Sequence, residues 1–395
     1  MTMPGNQRHV LIYEPAVDGH HVGWLRFFTE DLLGAGLRLT LAVDTRPDAL
    51  KRIEDQMADL LPQVNIVPAV ADPPGKFHPS PDRVAVCLQQ SGAALAFLAH
   101  FNDIASTVLR RAAFGWLPPA GLRGRLGGVW LRPQFLAGAG RSPNELLKQL
   151  GFRRLMRDHW LNPLLLLDPP LYDQALKRYP GAPVHLLADP YPEDFHADRA
   201  AARKAFDLPA DKLVFLFYGG GYKRKGLQLV AEAMLKLPAP GNFILLCAGL
   251  RPGGETLARQ LETLRAQGRA RLVNRYVSAG EEKQLFAAGD VVLLPYTHHQ
   301  GTSSVLARAA GAGKPVIASD EHFIGRVVRQ HGMGLLFPTG NVTELKNALL
   351  RAAAAGPEEL ARWSAGARAC AQTCSRSAFR TVLVGAVERA LATAG

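Results

Sequence analysis

The sequence has few cysteines and no long apolar run, and each shortage excludes a class of protein. Its 395 residues include four cysteines, too few and too scattered for a disulfide framework. Cys370 and Cys374 lie four residues apart without a partnering histidine or cysteine pair, so a zinc site is not expected there. No stretch approaches the roughly 18 apolar residues of a membrane span, and the N-terminal residues lack the apolar core of a secretion signal. These absences favour a reduced, cytoplasmic, soluble protein.

Acidic residues are in the minority, and the excess of positive charge is concentrated in one segment. The chain has 46 Lys and Arg against 34 Asp and Glu, a net charge of +12. Residues 101–160 contain ten basic residues against three acidic ones. Such a balance attracts anions, but no nucleic-acid recognition motif is present and aromatic residues do not alternate with the charges, so nucleic acid is not an expected partner.

Strand-like and helix-like segments alternate along the chain. An apolar run at residues 9–14 precedes a glycine- and histidine-containing loop, a helical pattern over residues 22–33 and a second apolar run that ends at Asp44. This succession predicts a βαβ unit. The second half repeats it, with apolar runs at residues 212–218, 242–249, 269–277, 290–296 and 314–319. The alternation predicts open parallel sheets covered by helices on both faces.

We predict an α/β protein made of two Rossmann-like domains that face each other across a cleft. The proline-rich, polar segment 179–211 is interpreted as the linker, which joins the domains near residue 190. The predicted units are an N-terminal domain over residues 1–190, a C-terminal domain over residues 191–375, and a C-terminal helix over residues 376–395 that packs back on the first domain.

The segment after the strand at residues 212–218 has the composition of an anion-binding loop. Glycines let a ligand approach the backbone closely because no Cβ is in the way. Cationic side chains follow, and the next helix directs free N–H groups to the same place, which suits a diphosphate. The spacing matches neither the P-loop nor G-x-G-x-x-G, so an ordinary basic loop is the alternative. The residues concerned are Gly219, Gly220, Gly221, Lys223, Arg224, Lys225 and Gly226.

A second strand, loop and helix cover residues 290–320. Thr302 or Ser303 is expected to cap a helix that ends near Gly311 and Gly313. The helix would begin at the carboxyl end of a parallel sheet, where ligands bind in such folds. Two anion-accepting helix termini in one domain fit a sugar nucleotide, although both could be merely capped helices.

Residues 205–350 resemble the donor-binding domain of family 4 glycosyltransferases, which have the GT-B fold. The resemblance rests on the order and spacing of YGGGYKRKGLQLVAEA, RYVSAGEEKQLFAAGDVVLLPY, GTSSVLARAAGAGKPVIASD and GMGLLFPTGNVTELKNAL. It implies that Lys225 contacts the donor diphosphate and that the segment containing Tyr276 and Val277 lies near the nucleobase. With the loops above, the predicted donor-binding set is Gly219, Gly220, Gly221, Lys223, Arg224, Lys225, Gly226, Tyr276, Val277, Gly301, Thr302, Ser303, Ser304 and Arg308.

The chain departs from the family at three positions. Family members carry two glutamates eight positions apart, and those places hold Gln300 and Arg308; the usual arginine before the lysine is Gly220. The second family glutamate binds the ribose hydroxyls. Arg308 cannot accept their hydrogen bonds because arginine only donates, so it would meet a phosphate or pair with an acid.

The N-terminal domain resembles the family in architecture only. The loop at residues 15–21 occupies the place of the family's donor-facing loop, which makes Gly19 and His20 candidates. The stretch where relatives carry a sugar-orienting histidine has Arg132 instead, and His100 is interpreted as a satisfied strand residue rather than a catalyst. His298 and His299 are either sugar contacts or solvated loop residues. The predicted catalytic set is Gly19, His20, Arg132 and Gln300.

The sequence contains no Asp-x-Asp pair, so we expect neither a diphosphate-bridging metal nor another resident cofactor. The negative charge of the donor diphosphate would then be neutralised by helix N-termini and by cationic side chains, namely Lys223, Arg224, Lys225 and Arg308.

Together with these observations, the resemblance implies a retaining, metal-independent hexosyltransferase. It would move a sugar from a UDP- or GDP-sugar to a glycan, lipid-linked or small-molecule acceptor, as in polysaccharide biosynthesis. The basic segment 101–160, with its helical pattern at residues 144–161, would place the enzyme peripherally on an anionic inner membrane face, unless that helix merely packs on the core. The alternatives are a catalytically silent GT-B protein that binds glycans or partners, and an epimerase or phosphorylase of the same architecture.

Overall fold

In a computed structural model, the described residues form two compact units. The described ranges are 8–17, 21–69, 79–131, 133–137, 142–220, 223–239, 241–249, 254–275 and 277–393. One unit contains residues 1–187 together with 380–395, and the other contains residues 188–379. The boundaries predicted from the sequence are residues 190 and 375. The acceptor- and donor-binding roles assigned to the two units remain predictions.

The first unit has a parallel sheet whose strands alternate with helices. Its strands are β1 (His9–Glu14), β2 (Arg38–Val43), β3 (Asn65–Pro68), β4 (Leu95–Leu98), β5 (Leu126–Trp130), β6 (Leu161–Leu166) and β7 (Val184–Leu186). Its helices are α1 (His21–Gly34), α2 (Pro47–Met57), α3 (Pro81–Ser91), α4 (Asn102–Ala113), α5 (Pro143–Arg157) and α6 (Pro169–Arg178). The strand order is β3-β2-β1-β4-β5-β6-β7, so the chain reverses direction across the sheet between β1 and β4. Every residue of β1 is buried, which fits a strand covered on both faces.

The second unit repeats this plan. Its strands are β8 (Leu213–Tyr218), β9 (Phe243–Ala248), β10 (Ala270–Val273), β11 (Val291–Leu294), β12 (Val316–Ser319) and β13 (Gly334–Phe337). Its helices are α7 (Arg199–Ala205), α8 (Leu227–Leu235), α9 (Glu255–Ala266), α10 (Ala279–Ala288), α11 (Ser304–Gly311), α12 (His322–His331), α13 (Val342–Ala353) and α14 (Pro357–Thr373). The parallel strands run β10-β9-β8-β11-β12-β13, and here the reversal falls between β8 and β11.

The last helix, α15 (Arg376–Thr393), contributes to the first unit from Arg380 onward. Glu388 lies 3.7 Å from Arg8, and the hydroxyl of Thr393 accepts a hydrogen bond from the Asn162 amide at 2.9 Å. Within the part of the chain that the structure describes, no helix is long and apolar enough to cross a membrane.

The boundary between the two units falls within residues 179–211, the segment interpreted as the linker, but this segment also contains two regular elements. β7 pairs with β6 at the edge of the first sheet. Asp198 caps α7 by accepting a hydrogen bond from Ala201 N at 2.7 Å. The buried Arg203 side chain donates to three backbone carbonyls downstream, those of Pro209, Ala210 and Lys212. Prolines therefore separate short elements here rather than mark an unstructured connection.

Candidate functional site

The loops after β8 and β11 leave the carboxyl ends of adjacent strands at the point where the strand order reverses. In open parallel sheets this position is a crevice between loops that run to opposite sides, and ligands bind there. The loop after β8 leads into α8, and the loop after β11 leads into α11. The sequence places its glycine- and lysine-rich segment in the first loop and its hydroxyl-rich segment in the second.

Lys225 lies against the backbone of Gly219. A Cβ atom added to Gly219 would be 2.0 Å from the Lys225 Nζ atom, and Gly219 has a φ of +109°, which side chains rarely adopt. Glycine at this position therefore leaves space for the ammonium group beside the end of β8. Lys225 has no ion-pair partner among the described residues, so this charge is available to an anion.

The turn that carries Lys225 is fixed to the loop after β11. Gly226 has a φ of +73°, and a Cβ atom there would lie 1.9 Å from the Pro295 carbonyl oxygen, so no larger residue fits. Thr297 strengthens the contact, since its backbone N–H donates to the Arg224 carbonyl at 2.8 Å and its hydroxyl donates to the Lys223 carbonyl at 3.3 Å. The two loops form one connected structure.

His299 joins the same two loops through its side chain. The Arg224 guanidinium contacts His299 Nδ1, and His299 Nε2 lies 2.8 Å from the Thr302 carbonyl oxygen. Arginine only donates and a carbonyl only accepts, so His299 accepts at Nδ1 and donates from Nε2. This bonding pattern requires the neutral ring with its proton on Nε2. His299 has a bridging role here, whereas His298 is exposed.

Arg308 is paired with an acid on a neighbouring helix. Its Nε atom lies 2.7 Å from Glu282 Oε1 in α10, and its Nη1 atom donates to the Ser304 carbonyl at 3.1 Å. Burial alone would lower the pKa of Arg308, but the Glu282 carboxylate holds it above the ordinary value. The sequence leaves either a phosphate or an acidic side chain as the partner of Arg308, and the structure shows the acidic side chain.

The cations of this region repel one another. Burial lowers the pKa of Lys225 to about 8, and the positive charges of Arg224 and Arg308 add to the effect. An ammonium that is desolvated and faces other cations is stabilised by a bound anion. The site is therefore suited to a phosphate-bearing ligand, with the N-terminus of α8 beside it.

A buried carboxylate that the sequence does not single out lies near these groups. Burial raises the pKa of Asp189 to about 6, although Arg308 and a hydrogen bond from Thr302 oppose the shift. Its Oδ1 atom is buried without a hydrogen-bond partner among the described residues. Sequence reasoning misses Asp189 because this residue lies in the proline-rich segment, more than a hundred residues before Thr302 and Arg308. Glu282 escapes it because its helical pattern gives no sign of a charged partner.

The other predicted residues of this unit are distributed around the loop after β11. Ser303 is the N-cap of α11 and accepts a hydrogen bond from Leu306 N at 3.3 Å, which confirms one of the two expected caps. Gln300 is exposed, and Gly301, Thr302 and Ser304 are partly buried. Val277 is buried in the apolar core. The predicted residues Gly19, His20, Arg132, Gly221 and Tyr276 lie outside the described residues.

In the first unit, His100 follows β4 and its Nδ1 atom contacts the Glu14 carboxylate at the end of β1. The sequence favours a satisfied role for His100, and this contact supplies a partner for it. Glu14 and His21, which also contact each other, are further residues that sequence reasoning did not single out. The available signal was that His21 is the last residue of the candidate loop at residues 15–21.

Comparison with known proteins shows which family and which folds the chain resembles. Residues 198–369 match the family described as Glycosyl transferases group 1. The chain is 31% identical over 196 residues to a D-inositol 3-phosphate glycosyltransferase of Xylanimonas cellulosilytica, covering 49% of this chain and 46% of that protein. A protein of the same name from Saccharomonospora viridis is 32% identical over 217 residues, covering 51% of this chain and 50% of that one. The chain thus spans about half the length of the curated relatives it matches.

Solved structures are similar over nearly the whole chain. Anabaena Alr3699/HepE in complex with UDP has a TM-score of 0.70 at 15% identity and covers 96% of this chain and 100% of that one. Sucrose-phosphate synthase from Thermosynechococcus elongatus has a TM-score of 0.69 at 17% identity and covers 98% of this chain and 100% of that one. At these identities the likeness shows the fold alone. The chain therefore has the GT-B fold, and its residues 198–369 match the group 1 glycosyl transferases.

Proposed function

We propose that the protein transfers a sugar from a nucleoside-diphosphate sugar to an acceptor hydroxyl with retention of configuration. The observation that carries this proposal is the Lys225 ammonium, which lies against Gly219 at the reversal point of the second sheet, beside other cations and the start of α8. This arrangement supplies positive charge where a diphosphate would gain negative charge as it leaves.

The chemistry needs stabilisation of the leaving nucleotide. The bond between the anomeric carbon and the phosphate oxygen breaks, and its electron pair stays on the nucleoside diphosphate. The acceptor oxygen bonds to the anomeric carbon on the same face, and its proton passes to an oxygen of the departing phosphate. Lys225, Arg224 and the N-terminus of α8 stabilise the developing charge. We propose that this neutralisation requires no metal ion at the diphosphate.

The donor is proposed to be a UDP- or GDP-sugar. Related folds support a uridine nucleotide, because Anabaena Alr3699/HepE has been solved with UDP and with UDP-glucose. The curated relatives are named D-inositol 3-phosphate glycosyltransferases, which supports transfer to a hydroxyl acceptor. For this chain the acceptor is proposed to be a glycan, a lipid-linked glycan or a small molecule.

A thermal-shift panel with UDP, GDP, ADP, dTDP and CMP, each with and without EDTA, tests the donor site. A nucleotide that binds only the folded state raises Tm by mass action, and we expect one diphosphate to do so in EDTA as well. Lys225→Ala should abolish the shift. Lys236→Ala, at the exposed other end of α8, is the matched control and should keep it. If no nucleotide raises Tm, the silent GT-B alternative replaces the proposal. NMR of the anomeric proton in the product tests retention.

We further propose that the enzyme works at the cytoplasmic face of an anionic membrane, through one surface of the first unit. Leu146 and Leu150 are 55% and 54% exposed, and Phe114 after α4 is 78% exposed. Arg153 and Arg157 continue the face of α5 that Leu146 and Leu150 begin, since the four residues repeat at helical spacing. Exposed apolar side chains beside arginines are typical of helices that lie on anionic lipid.

Sedimentation with vesicles tests this surface. Binding to vesicles containing phosphatidylglycerol, but not to phosphatidylcholine alone, is expected, and it should weaken as salt is added. Leu146→Glu combined with Leu150→Glu should prevent binding without changing the nucleotide thermal shift. Arg259→Glu, on the exposed face of α9 in the other unit, is the control for charge alone. Equal binding to both kinds of vesicle would contradict an electrostatic membrane surface.

A further inference from the structure

Three side chains of the first unit converge at the reversal point of its sheet. Glu14 is the last residue of β1, His100 follows β4, and His21 is the first residue of α1. The Nδ1 atom of His21 lies 3.2 Å from Glu14 Oε1, and His100 Nδ1 contacts Glu14 Oε2. One ligating atom from each residue lies within 4.8 Å of the other two. The two imidazole rings are close, with centroids 4.1 Å apart.

The Glu14 carboxylate is completely buried, and the described residues give it no ordinary counter-ion. Its oxygens contact His21 and His100, and no lysine or arginine among the described residues forms an ion pair with it. An ionised, buried carboxylate needs positive charge close by. A cation held among the three side chains supplies this charge.

The donor set indicates which cation would fit. Magnesium and calcium prefer oxygen ligands, and these three side chains offer two nitrogens and one carboxylate. Two histidines and one glutamate are a ligand set that zinc uses with its fourth position open. The side chain of His21 is 22% exposed while the other two are nearly buried, so solvent reaches the cluster from the His21 side.

We propose that Glu14, His21 and His100 form a binding site for a zinc-like divalent transition-metal ion. The ion neutralises Glu14 and links the ends of β1 and β4 to the start of α1. Its remaining coordination position is filled by water or an oxygen-bearing ligand. The proposal rests on residues of the first unit alone, and its test uses no nucleotide.

Titration of chelator-treated protein with Zn²⁺ in a calorimeter tests the site without any nucleotide. One saturable equivalent is expected, with a rise in Tm, and Co²⁺ should give the visible absorption bands of a site with nitrogen and oxygen ligands. His21→Ala, at the half-buried position, should weaken Zn²⁺ binding by at least about tenfold. His196→Ala, an exposed histidine of the other unit, should leave binding unchanged.

Glu14→Gln keeps the shape of the buried side chain and should also weaken binding by at least about tenfold. If this variant does not fold by circular dichroism, His21→Ala decides the question. The absence of saturable Zn²⁺ binding to folded wild-type protein would overturn the proposal. Equal affinity in wild type and His21→Ala would place the metal elsewhere. Neither result bears on nucleotide binding.

Discussion

The guanidinium of Arg308 is paired with the carboxylate of Glu282, with Nε 2.7 Å from Oε1. The resemblance to family 4 implies a glutamate where this chain has Arg308. The pair gives the Arg308 guanidinium, which cannot accept hydrogen bonds, an acidic partner on α10. Arg308 also adds to the positive charge that lowers the pKa of Lys225.

Restoring a glutamate at position 308 should therefore destabilise the protein. Arg308→Glu would place two carboxylates together in a mostly buried position, and we expect a loss of about 2–4 kcal/mol in the free energy of unfolding, measured with urea. Adding Glu282→Gln to this variant should recover much of the loss because it removes the repulsion. Equal stability of Arg308→Glu and wild type would show that the pair does not hold in solution.

Nucleotide affinity should depend on pH through Lys225. Burial, with Arg224 and Arg308, lowers its pKa to about 8 in the free protein. A bound diphosphate favours the ammonium form and raises that pKa, so binding above pH 8 takes up a proton. Affinity for the stabilising nucleotide, measured by calorimetry, should be constant near neutral pH and fall by up to about tenfold per unit above pH 8. Lys225→Met should bind weakly and without this slope; equal wild-type affinity at pH 7 and 9.5 would contradict the placement.

The buried Asp189 should lower stability at neutral pH. Burial raises its pKa from 3.8 to about 6, so the folded state holds this proton more tightly than the unfolded chain does. The contribution to stability is complete below pH 3.8 and declines as pH rises to about 6. Asp189→Asn imitates the protonated form and should be more stable than wild type at pH 7.5 by roughly 1–3 kcal/mol.

Urea unfolding of Asp189→Asn and wild type at pH 4 and pH 7.5 measures this effect. The difference between the two proteins should nearly vanish at pH 4, where Asp189 is largely protonated in the folded state. A variant less stable than wild type at pH 7.5 would mean that the carboxylate is held by stronger partners than Arg308 and Thr302.

Gly226 should tolerate no side chain. Gly226→Ala combines an unfavourable φ of +73° with a Cβ atom 1.9 Å from the Pro295 carbonyl oxygen, so the loop after β11 must move. We expect a loss of more than about 2 kcal/mol in unfolding free energy together with loss of nucleotide binding. Gly332→Ala is the matched control, since Gly332 has a φ of +59° and open space around it; strain alone should cost about 1 kcal/mol there.

Much of the fold was predictable because long apolar strands are bounded by proline and glycine. The runs at residues 9–14 and 212–218 correspond to β1 and β8 within one residue, and the helical pattern over residues 22–33 lies within α1. The run at residues 269–277 is longer than β10, which ends at Val273. Short elements were missed: β7 has three residues, and α7 lies in a proline-rich stretch where composition outweighs a weak helical signal.

The candidate site was only partly predictable, because local motifs and distant contacts leave different signals. The glycines and lysines after β8 are contiguous, so their association is visible in the sequence. The partners Glu282 and Asp189 lie far along the chain from Arg308, and only the sheet order brings them near it. The Glu14–His100 contact joins residues 86 positions apart, and an apolar strand around His100 gives no indication of a buried acid.

The path of α15 has a consequence for how the first unit can form. Its apolar residues, including Leu383 and Val387, are buried, and its segment from Arg380 belongs to the first unit. The ribosome makes this segment only after all of the second unit. A fragment ending at residue 187 would therefore leave the surface that receives α15 uncovered, and the first unit gains the buried side chains of α15 only after the second unit has been made. Separating the two units in the laboratory calls for a rearranged gene in which residues 380–393 are joined to the first unit by a new connection, rather than for a single cut.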